Sequence, residues 1–101
     1  MTTTITLAAE GKKIVLKTGV TGPSSYSSPF TVTIDELNRV EGVLDCRIDG
    51  GYVAEPVVYA TGNVVGVKIY YQTGASGEPL TEVADGTDLS ARKIDVIAYG
   101  W

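Results

Sequence analysis

Apolar and polar residues alternate along most of this chain with a period of two, which is the pattern of strands that bury one face. The clearest case is the segment 56–71. Two runs of β-branched and aromatic residues, 57–61 and 64–71, flank the pair Gly62-Asn63. A glycine-containing pair between two such runs is typical of a two-residue turn, so we predict an antiparallel hairpin with its turn at 62–63.

The N-terminal segment predicts a second hairpin. Ile5 and Leu7 share one face of its first strand, and residues 10–11 form its turn. In its second strand Ile14 and Leu16 point to one side, and the other side carries Lys13, Val15 and Lys17. This alternation predicts a two-stranded unit with one core face and one solvated face.

The segment between the two hairpins is less regular. Residues 19–29 hold a Gly-Pro pair and two Ser-Ser pairs around Tyr26, and this composition predicts the longest exposed loop before the C-terminal half. Residues 35–40 are the only helix-like piece. They form either one or two helical turns or a corner between strands, with Leu37 and Val40 facing inward.

Alternation also assigns faces in two later strands. In residues 43–48 the predicted inward residues are Leu44, Cys46 and Ile48. The predicted outward residues of that strand are Val43, Asp45 and Arg47. In the last strand one face holds Ile94, Val96 and Ala98, and the opposite face holds Lys93, Asp95, Ile97, Tyr99 and Trp101. Strands over 30–34 and 80–84 complete the set, and residues 72–79 form a polar loop.

These elements predict one all-β domain over residues 1–101. Seven or eight short strands with no long helix fit an antiparallel β-sandwich or barrel, because each sheet has an apolar face to bury. The length of 101 residues suits a single domain. Residues 1–8 are predicted to be an N-terminal docking strand or arm that adds to a neighbouring protein.

The composition removes most catalytic chemistry. The chain has no histidine, which excludes Ser-His-Asp and Cys-His machinery and the usual zinc sites. Its single cysteine, Cys46, fits a small buried residue better than a nucleophile, and it allows no intrachain disulfide. We therefore expect no enzyme activity, no catalytic residue, no cofactor and no bound metal.

Carboxylates are the remaining candidates for chemistry. Asp45 and Asp49 lie four residues apart, and Asp85 and Asp88 flank a turn. A glycosidase-type pair and a calcium site at 85–88 are the alternatives, but backbone geometry alone explains Asp-Gly at a turn. The net charge is −4 with scattered Lys and Arg, so no nucleic-acid partner is predicted. Neither a secretory signal nor a membrane span is predicted.

Aromatic residues on the second faces of two strands suggest a contact surface. Tyr70 alternates with the apolar residues around it, and Tyr99 and Trp101 lie opposite the Ile94 face of the last strand. Three explanations stay open: a sandwich that covers part of both faces, a protein contact, and carbohydrate stacking. The hypothesis is a protein-contact set formed by Tyr70, Tyr99, Trp101, Ile5 and Leu7.

Residues 57–70, followed by 80–90 and the closing 94–100, resemble small all-β structural proteins of tailed-bacteriophage virions. Residues 39–44 resemble the strand opener of that group, and the likeness covers roughly residues 30–101. It includes no catalytic motif.

The resemblance implies a virion protein, most simply a capsid decoration (cement) protein that stabilises the head. Its partners are then the major capsid protein and copies of itself, without nucleic acid or membrane, and it forms a homo-oligomer on a particle assembled in the host cytoplasm. A tail- or fibre-associated module that binds a receptor or carbohydrate is the alternative. A small hydrolase that uses two carboxylates is a third reading.

Overall fold

The computed structural model describes residues 3–9, 11–59, 61–72 and 80–101. The predicted polar loop therefore lies mostly outside the described residues. Within the described ranges the chain forms eight strands and no helix: β1 (Thr3–Ala9), β2 (Lys12–Thr21), β3 (Phe30–Thr33), β4 (Val40–Ile48), β5 (Val53–Val58), β6 (Val64–Gln72), β7 (Leu80–Glu82) and β8 (Lys93–Gly100).

The strands form two antiparallel sheets that pack as a sandwich. The first sheet has the order β1-β2-β8-β4. The second has the order β3-β6-β5, and β7 pairs with the C-terminal part of β6. The predicted all-β fold, with seven or eight strands and no long helix, is confirmed.

The core lies between the two sheets and consists mainly of valine and isoleucine. Ile94, Val96 and Ala98 of β8 have no exposed surface, and neither do Val65 and Val67 of β6. Burial of a side chain of this size stabilises the fold by about 1.5–3 kcal/mol. The predicted separation of the two faces of the last strand is therefore confirmed, and the face with Ile94, Val96 and Ala98 is the core face.

The segment 35–40 is a corner between β3 and β4. Leu37 and Val40 are buried, as predicted for this segment. The Leu37 amide donates to the carbonyl of Ile34 at 3.0 Å, which closes a turn, and no helix forms over these residues. Of the two predicted alternatives, the corner is the one observed.

The hairpin predicted over 56–71 is present, but its two-residue turn is wrong. The last paired residues are Val58 and Val65, so the connection is longer than the Gly-Asn pair. The carbonyls of Gly62 and Asn63 instead accept hydrogen bonds from the amides of Val40 (3.0 Å) and Ile34 (2.8 Å). The turn residues therefore hold the corner at 35–40 and are not available to close a tight hairpin.

The structure decides which face of β2 is buried and corrects the predicted faces of two residues in β4. In β2 the buried residue is Val15, so Ile14 and Leu16 lie on the outer side. In β4 the pairing with β8 shifts between Val43 and Asp45, which makes Leu44 the extra residue of a β-bulge. Leu44 is consequently 60% exposed, and the inward residue is Val43, which packs against the core.

Tyr26 contradicts the prediction that 19–29 is a simple exposed loop. Its side chain is only 1% exposed, and Gly19 to Thr21 belong to β2. The Tyr26 hydroxyl accepts a hydrogen bond from the Ile69 amide (3.1 Å) and donates to Glu82 Oε2 (2.7 Å). Ile69 lies where the pairing of β6 with β3 has ended and that with β7 has not begun, so Tyr26 fills a gap in the sheet.

Candidate functional site

Strand pairing collects apolar side chains on the outer face of the first sheet. Ile5 lies opposite Leu16, and Leu7 lies opposite Ile14. The same row continues into β8, because Ile14 pairs with Tyr99 and Leu16 pairs with Ile97. With the bulged residue of β4, these side chains form what we call the outer patch: Ile5, Leu7, Ile14, Leu16, Leu44, Ile97 and Tyr99.

The outer patch is large for an exposed surface. Leu7 is 63% exposed, Leu44 60% and Ile5 50%. Together with Ile14, Tyr99 and the neighbouring Trp101, these residues expose roughly 600 Å², backbone and polar atoms included, and the largest apolar patch on a typical monomer is about 300–600 Å². Single exposed apolar residues need no explanation, but the largest contiguous patch on a domain is often functional, so the outer patch is the candidate contact surface.

Part of the outer patch is an open groove of about 470 Å³. Leu7, Ile14, Leu44 and Tyr99 line it, together with Ala8, Lys12 and Lys13. The lining is mostly apolar, and its charged residues are Lys13 and Lys12, whose Nζ lies 3.8 Å from Glu41 Oε1. Such a groove suits an apolar side chain of a protein partner next to a carboxylate or carbonyl that contacts one of the two lysines.

Tyr99 is held in place by its neighbour across the sheet. It pairs with Gly42 of β4, and a Cβ atom at residue 42 would lie 2.5 Å from Tyr99 Cζ. The hydroxyl end of the ring therefore lies against Gly42, which is buried. This packing orients the ring at the surface before any partner binds.

Trp101 lies at the margin of the outer patch, beside the β1–β2 turn. Lys12 Nζ is 4.7 Å from the centre of the indole ring, within the range of a cation–π contact. The Trp101 amide donates to the carbonyl of Arg39 (3.1 Å), and its carbonyl accepts from Asn38 (2.6 Å). These backbone bonds fix Trp101 next to the corner at 35–40.

The opposite end of the same outer face is charged. Arg47 Nε lies 2.7 Å from Asp45 Oδ2 on β4. Asp95 of β8 lies opposite Arg47, and its Oδ1 accepts a hydrogen bond from the Gly19 amide at 3.0 Å. The outer face thus has an apolar end near the β1–β2 turn and a polar end near the β4–β5 turn.

Four of the five predicted contact residues lie in or next to the outer patch. Ile5, Leu7 and Tyr99 are members, and Trp101 is at the margin. Tyr70 is not, because it belongs to β6 of the second sheet and is half-buried opposite Val53. Whether these residues contact a partner remains a prediction.

Sequence reasoning missed one member of the outer patch and left two unassigned. Leu44 is hidden by the β4 bulge, since a strict alternation turns it inward. Ile14 and Leu16 could have been found from the apolar residues on both faces of β2, but the buried Val15 between two lysines makes the choice of face ambiguous. Ile97 was already grouped with Tyr99 by alternation.

Groups that could carry chemistry are engaged in local interactions. Burial raises the pKa of the Cys46 thiol to about 11, so the thiol is protonated and a poor nucleophile at neutral pH. Asp45 is paired with Arg47, and Asp49 Oδ1 accepts from the Lys93 amide at 3.0 Å. Both carboxylates of this candidate acid pair are therefore engaged in interactions within β4 or between the end of β4 and β8.

The turn at 85–88 is also explained by its own hydrogen bonds. Asp88 Oδ1 accepts from the amide (2.9 Å) and the hydroxyl (2.6 Å) of Ser90, and these bonds lower the pKa of Asp88. Among the described residues no group of three or more His, Cys, Asp or Glu side chains is placed to hold a metal ion. No helix in the same ranges is long and apolar enough to span a membrane.

Comparison with known proteins supplies no relative: no family model, curated protein or solved structure matches the chain.

Proposed function

We propose that this chain is a non-catalytic structural protein that binds a protein assembly through the outer patch. The observation that carries the proposal is the patch itself, a contiguous and mostly apolar surface on one face of a small domain. A standard protein interface buries about 800 Å² on each partner, with an apolar centre and a polar rim. The outer patch with Lys12 and the charged end of the same face has that composition.

The form of this function that we favour is decoration of a virus capsid. The support is the resemblance of residues 30–101 to small β proteins of tailed-phage virions. A decoration protein stabilises a shell because it binds the assembled state and not the free shell subunits. A preformed, rigid contact face such as the one around Tyr99 suits this role, since little conformational entropy is lost on docking.

Co-expression with the proteins encoded by flanking genes tests the proposal. Assembled particles are separated from free protein on a density gradient, and the chain is measured in each fraction. We expect it to sediment with the particles in a fixed ratio to the shell protein, and to raise the temperature at which the shells dissociate. A chain found only in the free fraction would contradict the proposal.

A pair of variants locates the contact. Leu44→Ser removes an exposed aliphatic side chain from the outer patch, and Val53→Ser removes one that is 45% exposed on the second sheet. We expect the first variant to lose particle binding by about 10-fold or more and the second to bind normally. Equal binding by both variants would exclude the outer patch. Binding of the free chain to a glycan array, with no binding to particles, would favour the carbohydrate-binding alternative.

A further inference from the structure

The outer edge of β1 is an open strand edge. Among the described residues β1 pairs only with β2, and Thr4 to Ala8 are exposed whichever face they lie on. Even Thr6, which is opposite the fully buried Val15, is exposed, so the second sheet does not cover β1. The backbone groups along this edge therefore have no strand partner within the described part of the chain.

The other sheet edges carry features that oppose pairing with another chain. β4 is interrupted by two register shifts and carries Glu41 and Arg47. β5 contains Pro56 and Glu55, and β3 and β7 are only four and three residues long. Bulges, charges, proline and short length are the usual protections of edge strands.

β1 has none of these protections. Its seven residues pair with β2 in one unbroken register. The strand contains no charged residue, proline or glycine, and its residues are Thr3, Thr4, Ile5, Thr6, Leu7, Ala8 and Ala9. A long, regular and uncharged edge is the feature that natural sheets avoid unless a further strand is added to it.

We propose that β1 pairs with β1 of a second copy of this chain, antiparallel and about a twofold axis at Thr6. This axis places Thr6 opposite itself and Ile5 opposite Leu7 of the second copy. Thr4 then faces Ala8 of the second copy on the other side of the sheet. The two large apolar side chains of the outer face, Ile5 and Leu7, therefore meet each other, whereas a shift of the axis to residue 5 would set Leu7 against Thr3.

The charge distribution permits this contact between identical chains. Each copy carries a net charge of −4, yet β1 itself is uncharged. The nearest charges on the same face as Thr6 are Lys13 and Lys17 of β2, and Lys17 is 3.4 Å from Glu36. Lys13 Nζ donates to the Glu36 carbonyl at 3.3 Å, so both lysines are already engaged.

The size of the contact predicts a dimer that depends on concentration. Seven paired residues extend over about 23 Å, and such an edge contact buries on the order of 1,000 Å² in total. That is the lower limit for a specific interface. Pairing also joins two first sheets into one sheet of eight strands, in which the two outer patches lie side by side. The dimer would present a contact face of standard size.

Charge substitutions at the axis test the pairing with the full chain. Thr6→Glu brings two carboxylates together only in the dimer, and Thr6→Lys brings two ammonium groups together. In sedimentation equilibrium we expect each variant alone to dimerise at least ~10-fold more weakly than the unaltered chain, since like charges in contact cost several kcal/mol. We expect an equimolar mixture of the two variants to form a heterodimer at least as stable as the unaltered dimer.

Thr33→Glu is the matched control, because Thr33 is an exposed threonine on another edge strand, β3. It should dimerise like the unaltered chain. Three results would overturn the proposal: an unaltered chain that stays monomeric up to about 1 mM, a Thr6→Glu variant that dimerises normally, or a mixture that shows no recovery.

A disulfide experiment keeps the proposal testable if a charged variant does not fold. In a Cys46→Ala background, Thr6→Cys places two thiols opposite each other, within the range that a disulfide bridges. Thr4→Cys is the control, because two copies of residue 4 would be roughly 13 Å apart in this register. We expect rapid oxidation to a dimer at position 6 and not at position 4. Equal or reversed rates would overturn the register.

The dimer does not rest on the proposed function, and the two fail separately. A monomeric chain that binds particles would overturn only the dimer. A dimer that binds no particle would overturn only the decoration role.

Discussion

The outer faces of the two sheets differ, although the inner faces are alike. Both inner faces are lined by fully buried aliphatic residues, such as Ile94 in the first sheet and Val67 in the second. The outer face of the second sheet carries Thr31, Glu55 and Lys68 in its central positions and exposed aliphatic residues only towards its end, at Val53 and Leu80, whereas the outer face of the first carries the outer patch. A sandwich needs only the inner faces to be apolar, so the outer patch is an addition that folding does not explain.

The largest expected difference in the free energy of unfolding is between alanine variants of an inner and an outer aliphatic residue of the first sheet. Ile94→Ala should lower the free energy of unfolding by about 2–5 kcal/mol, because it leaves a cavity between the sheets. Leu44→Ala should change it by less than about 0.5 kcal/mol, since Leu44 is already exposed. Urea unfolding followed by fluorescence measures both, and similar losses would mean that the outer patch serves the fold.

A second comparison uses two tyrosines with different tasks. Tyr26→Phe removes the acceptor of the Ile69 amide and the donor to Glu82, and should cost about 1–3 kcal/mol. Tyr99→Phe should cost less than about 0.5 kcal/mol, because the ring still lies against Gly42. Thermal unfolding of the two variants checks this order, and an equal effect would contradict the structural role assigned to Tyr26.

Alkaline pH should lower the folding stability through Cys46, by less than the core substitution Ile94→Ala does. Burial raises the pKa of Cys46 from 9.0 to about 11, so the folded state holds this proton more tightly than the unfolded state. The stabilisation is complete below pH 9 and is lost as the pH rises towards 11.

Burial also raises the pKa of Tyr26. Ionisation of this hydroxyl therefore adds to the loss of folding stability above pH ~10. Cys46→Ala should flatten the decline between pH 9 and 11 by about 1 kcal/mol, since the group is partly solvated. Urea unfolding of both proteins at several pH values measures the difference. An identical slope in the two proteins would show that Cys46 is not the titrating group.

The smallest expected change in stability is that of a substitution in the outer patch that makes the surface less apolar. Leu7→Ser should leave the melting temperature nearly unaltered and lower the binding of an apolar fluorescent dye to the folded chain. Val53→Ser is the control, because it removes an exposed aliphatic residue from the second sheet. Dye binding that falls equally in both variants would mean that the two outer faces do not differ as a binding surface.

Local alternation was enough to predict the fold class and the faces of β8, where Ile94, Val96 and Ala98 are buried in a regular strand. Alternation did not predict the face of a residue where a bulge interrupts a strand, and it did not predict which strands are neighbours in a sheet. The bulge at Leu44 reverses two face assignments, and Tyr26 enters the core from a loop of turn-forming residues. The outer patch arises because β1, β2 and β8 are neighbours, and neighbourhood in a sheet is a long-range property.

Hydroxyl-radical footprinting of the chain on its particle tests the central claim most directly. Tyr99 in the outer patch and Tyr71 at the end of β6 are both 37% exposed, so they should oxidise at similar rates in the free chain. On the particle we predict strong protection of Tyr99 and no protection of Tyr71. Protection of Tyr71 with Tyr99 unchanged would contradict the assignment of the outer patch as the contact surface.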